Sequence, residues 1–384
     1  MFYQTQSDEE RKLYIKLLQI TGSLSNLFAD SKKPFLYYRA MENIFCKSFE
    51  ATNYARSDVS VDAGKDRIGI GLKTFLQNNG KTFQKVAEFN RESYLLKNLN
   101  DEQIVYKIAE MRNERIKTTQ RICQLNDMMY HLITRDLNCM GIYEEPMDLV
   151  DINAIKEIKR KRETVISFED GIHEYGYNTS KSTLFKRFNT TDKRLIERFE
   201  VKILEDPFDF LLHSDLNEKE KSTLEVNNDV TDFIILPLYS PKLGEVPKKS
   251  GLNQWNAEGR NRDTDEVYIP IPAWIHKAKP EFFEYNTDDY KTGSFDVKLP
   301  SGETLNMKVA QQGGKALMSN PNKALGKWIL RDILNLKDGT LVRKAMLDTI
   351  GIDSIMLSKH TDDSYSLDFL KAGSYEDFEE EYEK

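Results

Sequence analysis

Two short runs of strict alternation, separated by a turn rich in Gly and Asp, constrain this chain more than any other feature. Val59, Val61 and Ala63 alternate with Ser60 and Asp62. After Gly64-Lys65-Asp66, Ile68, Ile70 and Leu72 alternate with Gly69, Gly71 and Lys73. A period of two on both sides of such a turn predicts a β-hairpin with one buried face. With the loop centred between Lys65 and Asp66, Asp58 stands opposite Lys73. The polar face then holds Asp58, Ser60, Asp62, Gly69, Gly71 and Lys73, and the two glycines leave the backbone open to close approach. Lys85 to Asn90 reads as a helix, which puts Glu88 fifteen residues beyond Lys73. An Asp, a Lys and a Glu around a bare strand suit a divalent cation held against a phosphodiester.

Each of these residues also has an ordinary reading. An Asp in a hairpin is commonly a solvated edge residue, and Lys85 is a ready surface partner for Glu88. Asp62 competes with Asp58, but it lies four residues along, roughly 13 Å away, too far to share an ion with a group opposite Asp58. Lys73, if packed without a partner, would be an expensive buried ammonium.

This arrangement resembles the PD-(D/E)XK nuclease superfamily and, within it, the type II restriction endonucleases. Ser57-Asp58 stands where that family has Pro-Asp, and Gly71-Leu72-Lys73 where it has (Asp/Glu)-x-Lys, so the second acid is missing at Gly71. Some members carry that carboxylate on the helix after the lysine strand. The resemblance therefore implies Asp58 and Glu88 as Mg²⁺ ligands and Lys73 as the catalytic lysine. It also implies Glu42, in the helical run Tyr37 to Phe49, as the upstream acid that several members use.

A length of 384 residues suggests two or three domains. Three cysteines, Cys46, Cys123 and Cys139, have no metal-site spacing and suit a reducing, cytoplasmic setting. There is no signal-peptide pattern and no apolar run near the ~20 residues that span a bilayer, so no membrane partner is expected. The net charge of −7 by itself argues against DNA, but six acids and one lysine between Ser374 and Lys384 account for five of those charges. Basic patches must then be local.

Ser7 to Leu27 reads as an amphipathic helix with Leu13, Leu17, Leu18 and Ile20 on one side. Asp101 to Leu137 reads as one broken helix or two. Lys156 to Arg162 (KEIKRKR) is a charge run, followed by two strands with a turn at Asp170-Gly171. The segment Asn178 to Arg187 mixes hydroxyls, an amide and cations, with Lys181, Ser182 and Lys186 as candidate DNA contacts. Its plain alternative is a polar edge strand. No glycine-rich phosphate loop and no zinc pattern occur, so no nucleotide cofactor is expected.

Beyond a polar connection at 213–228, short strands with Pro/Gly turns indicate an all-β barrel or sandwich. A long polar loop in it carries Lys248, Lys249, Asn253, Gln254, Trp255, Asn256, Arg260, Asn261 and Arg262. A second loop, Gln311 to Trp328, carries Lys315 and Lys323. Asn, Gln and Arg can contact base edges in pairs of hydrogen bonds, and neighbouring cations neutralise phosphates. On GLNQWNAEGRNRDTDEVYIPIP and KALGKWIL, the stretch Asp229 to Phe369 resembles the B3-like DNA-binding pseudobarrel attached to some restriction endonucleases. The resemblance implies two arms, Lys248–Arg262 and Gln311–Lys327, gripping the major groove.

The expected fold is thus α+β or α/β: a restriction-endonuclease-like nuclease domain (1–212), a linker (213–228), a B3-like all-β pseudobarrel (229–372) and an acidic tail (373–384). The expected activity is Mg²⁺-dependent, sequence-specific cleavage of double-stranded DNA, with a homodimer as a compatible assembly. The alternatives are a methylation-dependent endonuclease and a non-catalytic sequence-specific DNA-binding protein.

Overall fold

The turn after Lys65 fixes the register of the hairpin, and it differs from the expectation. Asp66 and Arg67 both have positive φ, 52° and 63°, the backbone of a two-residue type I′ turn. Ala63 therefore pairs with Ile70 and Lys65 with Ile68. The paired register ends at Ala63, and beyond it the Asp62 N–H still donates to the Ile70 carbonyl, so Asp62 is the acid held against the lysine strand and Asp58, four residues earlier, lies outside the pairing. The computed structural model describes residues 1–28, 30–54, 58–213, 230–286, 288–360 and 364–382. Ser57, expected in the place of the family's proline, lies outside them, as does the 213–228 connection beyond His213.

By internal contacts the chain divides into two units, Met1–Asn113 with Leu125–Val226, and Glu114–Gln124 with Asn227–Lys384. The first contains β1 (Thr52–Asn53), β2 (Ala63–Lys65), β3 (Ile68–Leu76), β4 (Lys81–Glu88), β5 (Asp127–Asp136), β6 (Cys139–Pro146), β7 (Lys156–Arg162), β8 (Val165–Glu169), β9 (Glu174–Asn178), β10 (Thr183–Asn189) and β11 (Glu197–Glu200). One sheet has the order β1-β2-β3-β5-β6-β11 and the other β4-β10-β9-β8-β7. Among the described strands of this unit only β3 and β5 pair in parallel, which requires a crossover, and the helix Asp101–Ile122 lies within it.

Three local expectations are corrected here. The periodic stretch Asp101–Leu137 is helical only to Ile122, and Asp127–Asp136 is the central strand β5. A buried apolar run such as Met128–Ile133 carries no period that separates helix from strand. Lys85–Asn90 is not a helix, because Lys81–Glu88 pairs along its length with β10. The helix Asp8–Ser23 opens on a capping box in which Ser7 and Glu10 bond reciprocally. It buries Tyr14 and Leu18 but leaves Leu13 and Ile20 exposed, so its apolar stripe is rotated from the expected one. Tyr14 and Leu18 pack with Phe45 and Phe49 of the helix Tyr38–Phe49 onto Ile70, Leu72, Ile133 and Ile142. Ile104, Val105 and Ile108 of the crossover helix pack instead on Ile166, Tyr175 and Leu184 of the second sheet.

The second unit is one sheet of β12 (Val230–Pro237), β13 (Ile269–Pro270), β14 (Phe295–Lys298), β15 (Thr304–Ala310), β16 (Ala316–Ser319), β17 (Ile352–His360) and β18 (Tyr365–Lys371). The order is β12-β17-β18-β14-β15-β16-β13, and the sheet is nearly closed into a barrel. The acidic stretch at the C-terminus is no loose tail. Ser374–Tyr382 is a helix whose Tyr375 and Phe378 pack on Ile235 and Leu370, beside Trp274. Tyr375, Phe378 and Tyr382 recur at helical spacing, which gives the acidic segment an apolar face.

Candidate functional site

The bond that shapes the hairpin site comes from an acid. The Leu72 backbone N–H donates to Asp62 Oδ2 at 2.6 Å, while the Asp62 N–H donates to the Ile70 carbonyl at 2.9 Å. Asp62 is thereby clamped to the lysine strand from both its main chain and its side chain, one residue from half-buried Lys73. Glu42 reaches the same place from the helix Tyr38–Phe49. It is 6% exposed, and Arg39 one turn earlier donates to its Oε2 at 2.9 Å. Burial, and next the nearby Asp62 carboxylate, push the Glu42 carboxyl above its ordinary range; Arg39 and Lys73 pull against them. Cys46, one turn further along the helix, feels the same field. Burial and then Glu42 and Asp62 push its thiol up to about 11.

The expected residues therefore separate. Glu42 lies close enough to both Asp62 and Lys73 to feel their charges. Asp58 is exposed and precedes β2. Glu88 ends β4 in the other sheet, opposite Thr183; Lys85 donates to it at 2.8 Å, and Asn90 is also bonded to it. The ion pair expected of a helix thus forms along a strand. The glycine face is not bare either. A Cβ at Gly71 would lie 2.8 Å from Met147 and 3.1 Å from Tyr130, and one at Gly69 would meet Leu125 and Val61. These glycines admit the protein's own side chains. An acid at Gly71 would displace Met147, whereas Asp62 supplies a carboxylate from the residue just before β2. The pairing register could have found Asp62 had the turn been read as Asp66-Arg67.

No group of three metal-ligating side chains occurs among the described residues. Two carboxylates suit Mg²⁺, which is commonly held by one or two protein acids and keeps several waters. Glu42 is raised first by burial and next by Asp62, and a cation held between the two carboxylates would favour the ionised form of both.

In the polar segment Asn178 to Arg187, which runs through the β9–β10 turn into β10, Lys181 is exposed, but the other two candidates are not free to meet DNA. Lys186 is fully buried, ion-paired with Glu145 at 2.5 Å and set 4.4 Å from the Phe188 ring. Ser182 is also buried. Alternation on a strand between two others turns every second polar residue inward.

In the barrel unit, the first arm is organised by Asn253. This buried amide donates to the carbonyls of Pro247 and Val342 at 3.0 Å and accepts from the Val342 N–H at 2.9 Å. It is a structural clamp, contrary to its expected role at DNA. Arg262 donates to the carbonyls of Ala257 and Glu258, Arg260 pairs with Glu266, and Lys249 pairs with Glu258. Asn256 donates to the Lys248 carbonyl at 3.0 Å. Gln254 and Trp255 are half-buried, with Oε1 and Nε1 lacking a partner among the described residues. Asn261, Lys248 and Lys315 are exposed. The second arm, expected as a loop, contains the buried strand β16. It meets the segment that follows the first arm, where Lys323 lies 3.5 Å from Asp263 and where Gly326 leaves no room for a side chain against the Asp265 carbonyl.

Residues 227–361 match the family model of the NgoFVII C-terminal B3-like DNA-binding domain, which covers most of the barrel and both arms. The match supports DNA as the partner of this unit, in the setting of a restriction system. No curated protein matches the chain. No helix among the described residues is long and apolar enough to cross a membrane.

Proposed function

We propose that the chain is a Mg²⁺-dependent, sequence-specific endonuclease of a restriction-modification system, cutting double-stranded DNA in the first unit and reading it in the second. The observation that carries this reading is the convergence of Glu42, Asp62 and Lys73 on one hairpin and one helix, in a chain that also has a restriction-type DNA-binding domain.

Asp62 and Glu42 would hold the Mg²⁺, and when bound the ion supplies Lewis acidity and a water of lowered pKa. Lys73 places its ammonium where charge develops on the phosphate oxygens, a donor worth about 10²–10³ in rate where it is preorganised. The Leu72 N–H holds Asp62 in its rotamer, so the acid does not have to be ordered during the reaction. Arg39 balances Glu42 until the cation arrives.

A second reading, a non-catalytic DNA-binding protein, is favoured by Gly71 standing where the family has an acid. One assay separates the two: wild type and Lys73→Ala incubated with unmodified and with methylated DNA, with and without Mg²⁺. Magnesium-dependent cleavage by wild type alone supports the nuclease. Equal activity of folded Lys73→Ala removes the hairpin as its site. Cutting confined to methylated DNA makes the enzyme methylation-dependent.

A further inference from the structure

Strand β7 carries five cations in seven residues, Lys156, Lys159, Arg160, Lys161 and Arg162, against one acid, Glu157. It is the outer strand of the second sheet, and six of its seven residues are exposed. Its pairing with β8 is irregular on both sides of Lys159-Arg160. Lysines and bulges on an edge strand discourage pairing with another chain, and one or two cations suffice for that. The surplus collects where the strand ends.

Arg162 pairs with Val165, and Val165 pairs on its other side with Asn178. The Thr179 N–H donates to the Thr164 carbonyl at 2.9 Å. The β7–β8 turn therefore lies beside the β9–β10 turn, whose Ser180 and Lys181 are exposed. Lys161, Arg162 and Lys181 make no ion pair with a described residue. The nearby acids are few: Glu157 is held by Lys159, Asp101 by Arg160 (Nε to Oδ2, 2.9 Å), and Glu163 lies exposed in the turn. Surface pairs of this kind contribute about 0–1 kcal/mol, so a polyanion can exchange them.

We propose that this end of the second sheet, Lys159–Arg162 with Lys181, is a phosphate-binding surface for duplex DNA, separate from the reading arms. The proposal rests on DNA being the partner of the chain. Cations interleaved with Ser and Thr hydroxyls are the groups that hold phosphates without reading bases. A lipid surface fits less well. From Lys156 to Arg187 the one exposed large apolar side chain among the described residues is Ile172, in the β8–β9 turn at the opposite end of the strands. On a chain of net charge −7, a local basic end is also what orients a polyanion on approach.

The test uses the full chain with Lys161→Gln, Arg162→Gln and Lys181→Gln combined, and a short random-sequence DNA duplex without divalent metal. Binding is measured over a series of salt concentrations, with thermal unfolding as the control for folding. Each lost phosphate contact reduces the slope of log K against log salt by about 0.9. The expected result is a slope smaller by about 2–3 and affinity at least tenfold weaker near physiological salt, with an unchanged melting temperature. An unchanged slope and affinity in the folded variant overturn the proposal. Wild type that binds no duplex removes the DNA reading itself. If wild type then binds vesicles containing phosphatidylserine and the variant does not, the basic end serves a membrane and the proposal is overturned.

Discussion

In the first unit Glu42 and Asp62 are held close together, with Arg39 and Lys73 as counter-charges, and the Glu42 carboxyl still ends above its ordinary range. In the second unit three of the arm cations already have acid partners: Arg260 with Glu266, Lys249 with Glu258 and Lys323 with Asp263. One region holds a carboxyl that burial, and next a neighbouring acid, keep out of its ordinary range, and the other ties several of its charges into pairs that fix its shape. Preorganised donors and acids act at a reacting centre because they need not rearrange. A groove reader has a different requirement, namely a fixed outline whose surface pairs exchange cheaply for phosphates and base edges.

The comparison is broken most directly at the hairpin. Asp62→Asn or Lys73→Ala should lower cleavage by about 10²–10³ or more while specific DNA binding persists, whereas Asp58→Asn should leave single-turnover cleavage close to wild type. Loss of activity in Asp58→Asn alone would mean that the catalytic acid is not the one the pairing register selects.

Next in size is Lys186. Breaking a buried ion pair costs about 3–5 kcal/mol, so Lys186→Ala should unfold the first unit at clearly lower urea, with Glu145 left unpaired. The double replacement Lys186→Met with Glu145→Leu should recover most of that loss. A Lys186→Ala variant of wild-type stability and reduced DNA affinity would return this residue to the surface role that its sequence neighbourhood suggested.

Why some of this was legible in sequence and some was not can be argued from these same residues. Alternation about Ile68–Leu72 identified the strand, its apolar face and Lys73, because period two is a direct consequence of backbone geometry. The choice between Asp58 and Asp62 depended on where the turn sits, and a shift of register carries every pairing with it. Lys186 and Asn253 looked like DNA contacts because polar side chains in polar sequence neighbourhoods resemble ligands. Their burial is decided by Glu145 and Val342, 41 and 89 residues away in the chain. The barrel was visible through its strand spacing, while the strand inside the second arm was hidden by its Gly and Pro neighbours.

Asn253 sharpens the second half of the comparison. Its removal leaves the Val342 N–H and carbonyl short of a partner in a buried site, at about 1–3 kcal/mol per unsatisfied group. Asn253→Ala should therefore destabilise the barrel by about 3 kcal/mol and weaken DNA binding in proportion to unfolding. A variant of full stability with lost discrimination would make the amide a base reader.

Arg260 is expected to have a smaller effect. If it exchanges Glu266 for a guanine edge, Arg260→Ala relaxes discrimination at one base pair by about 1–3 kcal/mol. If it meets phosphate, all sequences weaken alike and the salt slope falls by about one. Competition binding against single-base variants of the target separates these outcomes, and unchanged affinity for all of them assigns Arg260 to the loop alone.

The smallest effect is on pH dependence, and its sign differs between the units. Glu42 is raised above its ordinary 4.5 by burial and by Asp62. Its contribution is intact below that value and is lost as pH rises through the folded-state pKa, because ionisation is harder in the native site. His276 in the barrel is lowered from 6.5 by burial; its ring contacts the Tyr285 hydroxyl at 2.7 Å and the Gly314 carbonyl at 3.0 Å. There the contribution is intact above 6.5 and is lost as pH falls through 6.5 towards the folded-state value, because the unfolded chain takes up the proton first. Hydrogen exchange on the full chain, resolved by segment, should show protection around Glu42 declining towards higher pH and around His276 towards lower pH. Glu42→Gln should flatten only the first trend and His276→Gln only the second, and Mg²⁺ should offset the Glu42 trend alone. Parallel trends in the two units, or one substitution flattening both, would mean that a shared equilibrium rather than these two buried groups sets the pH response.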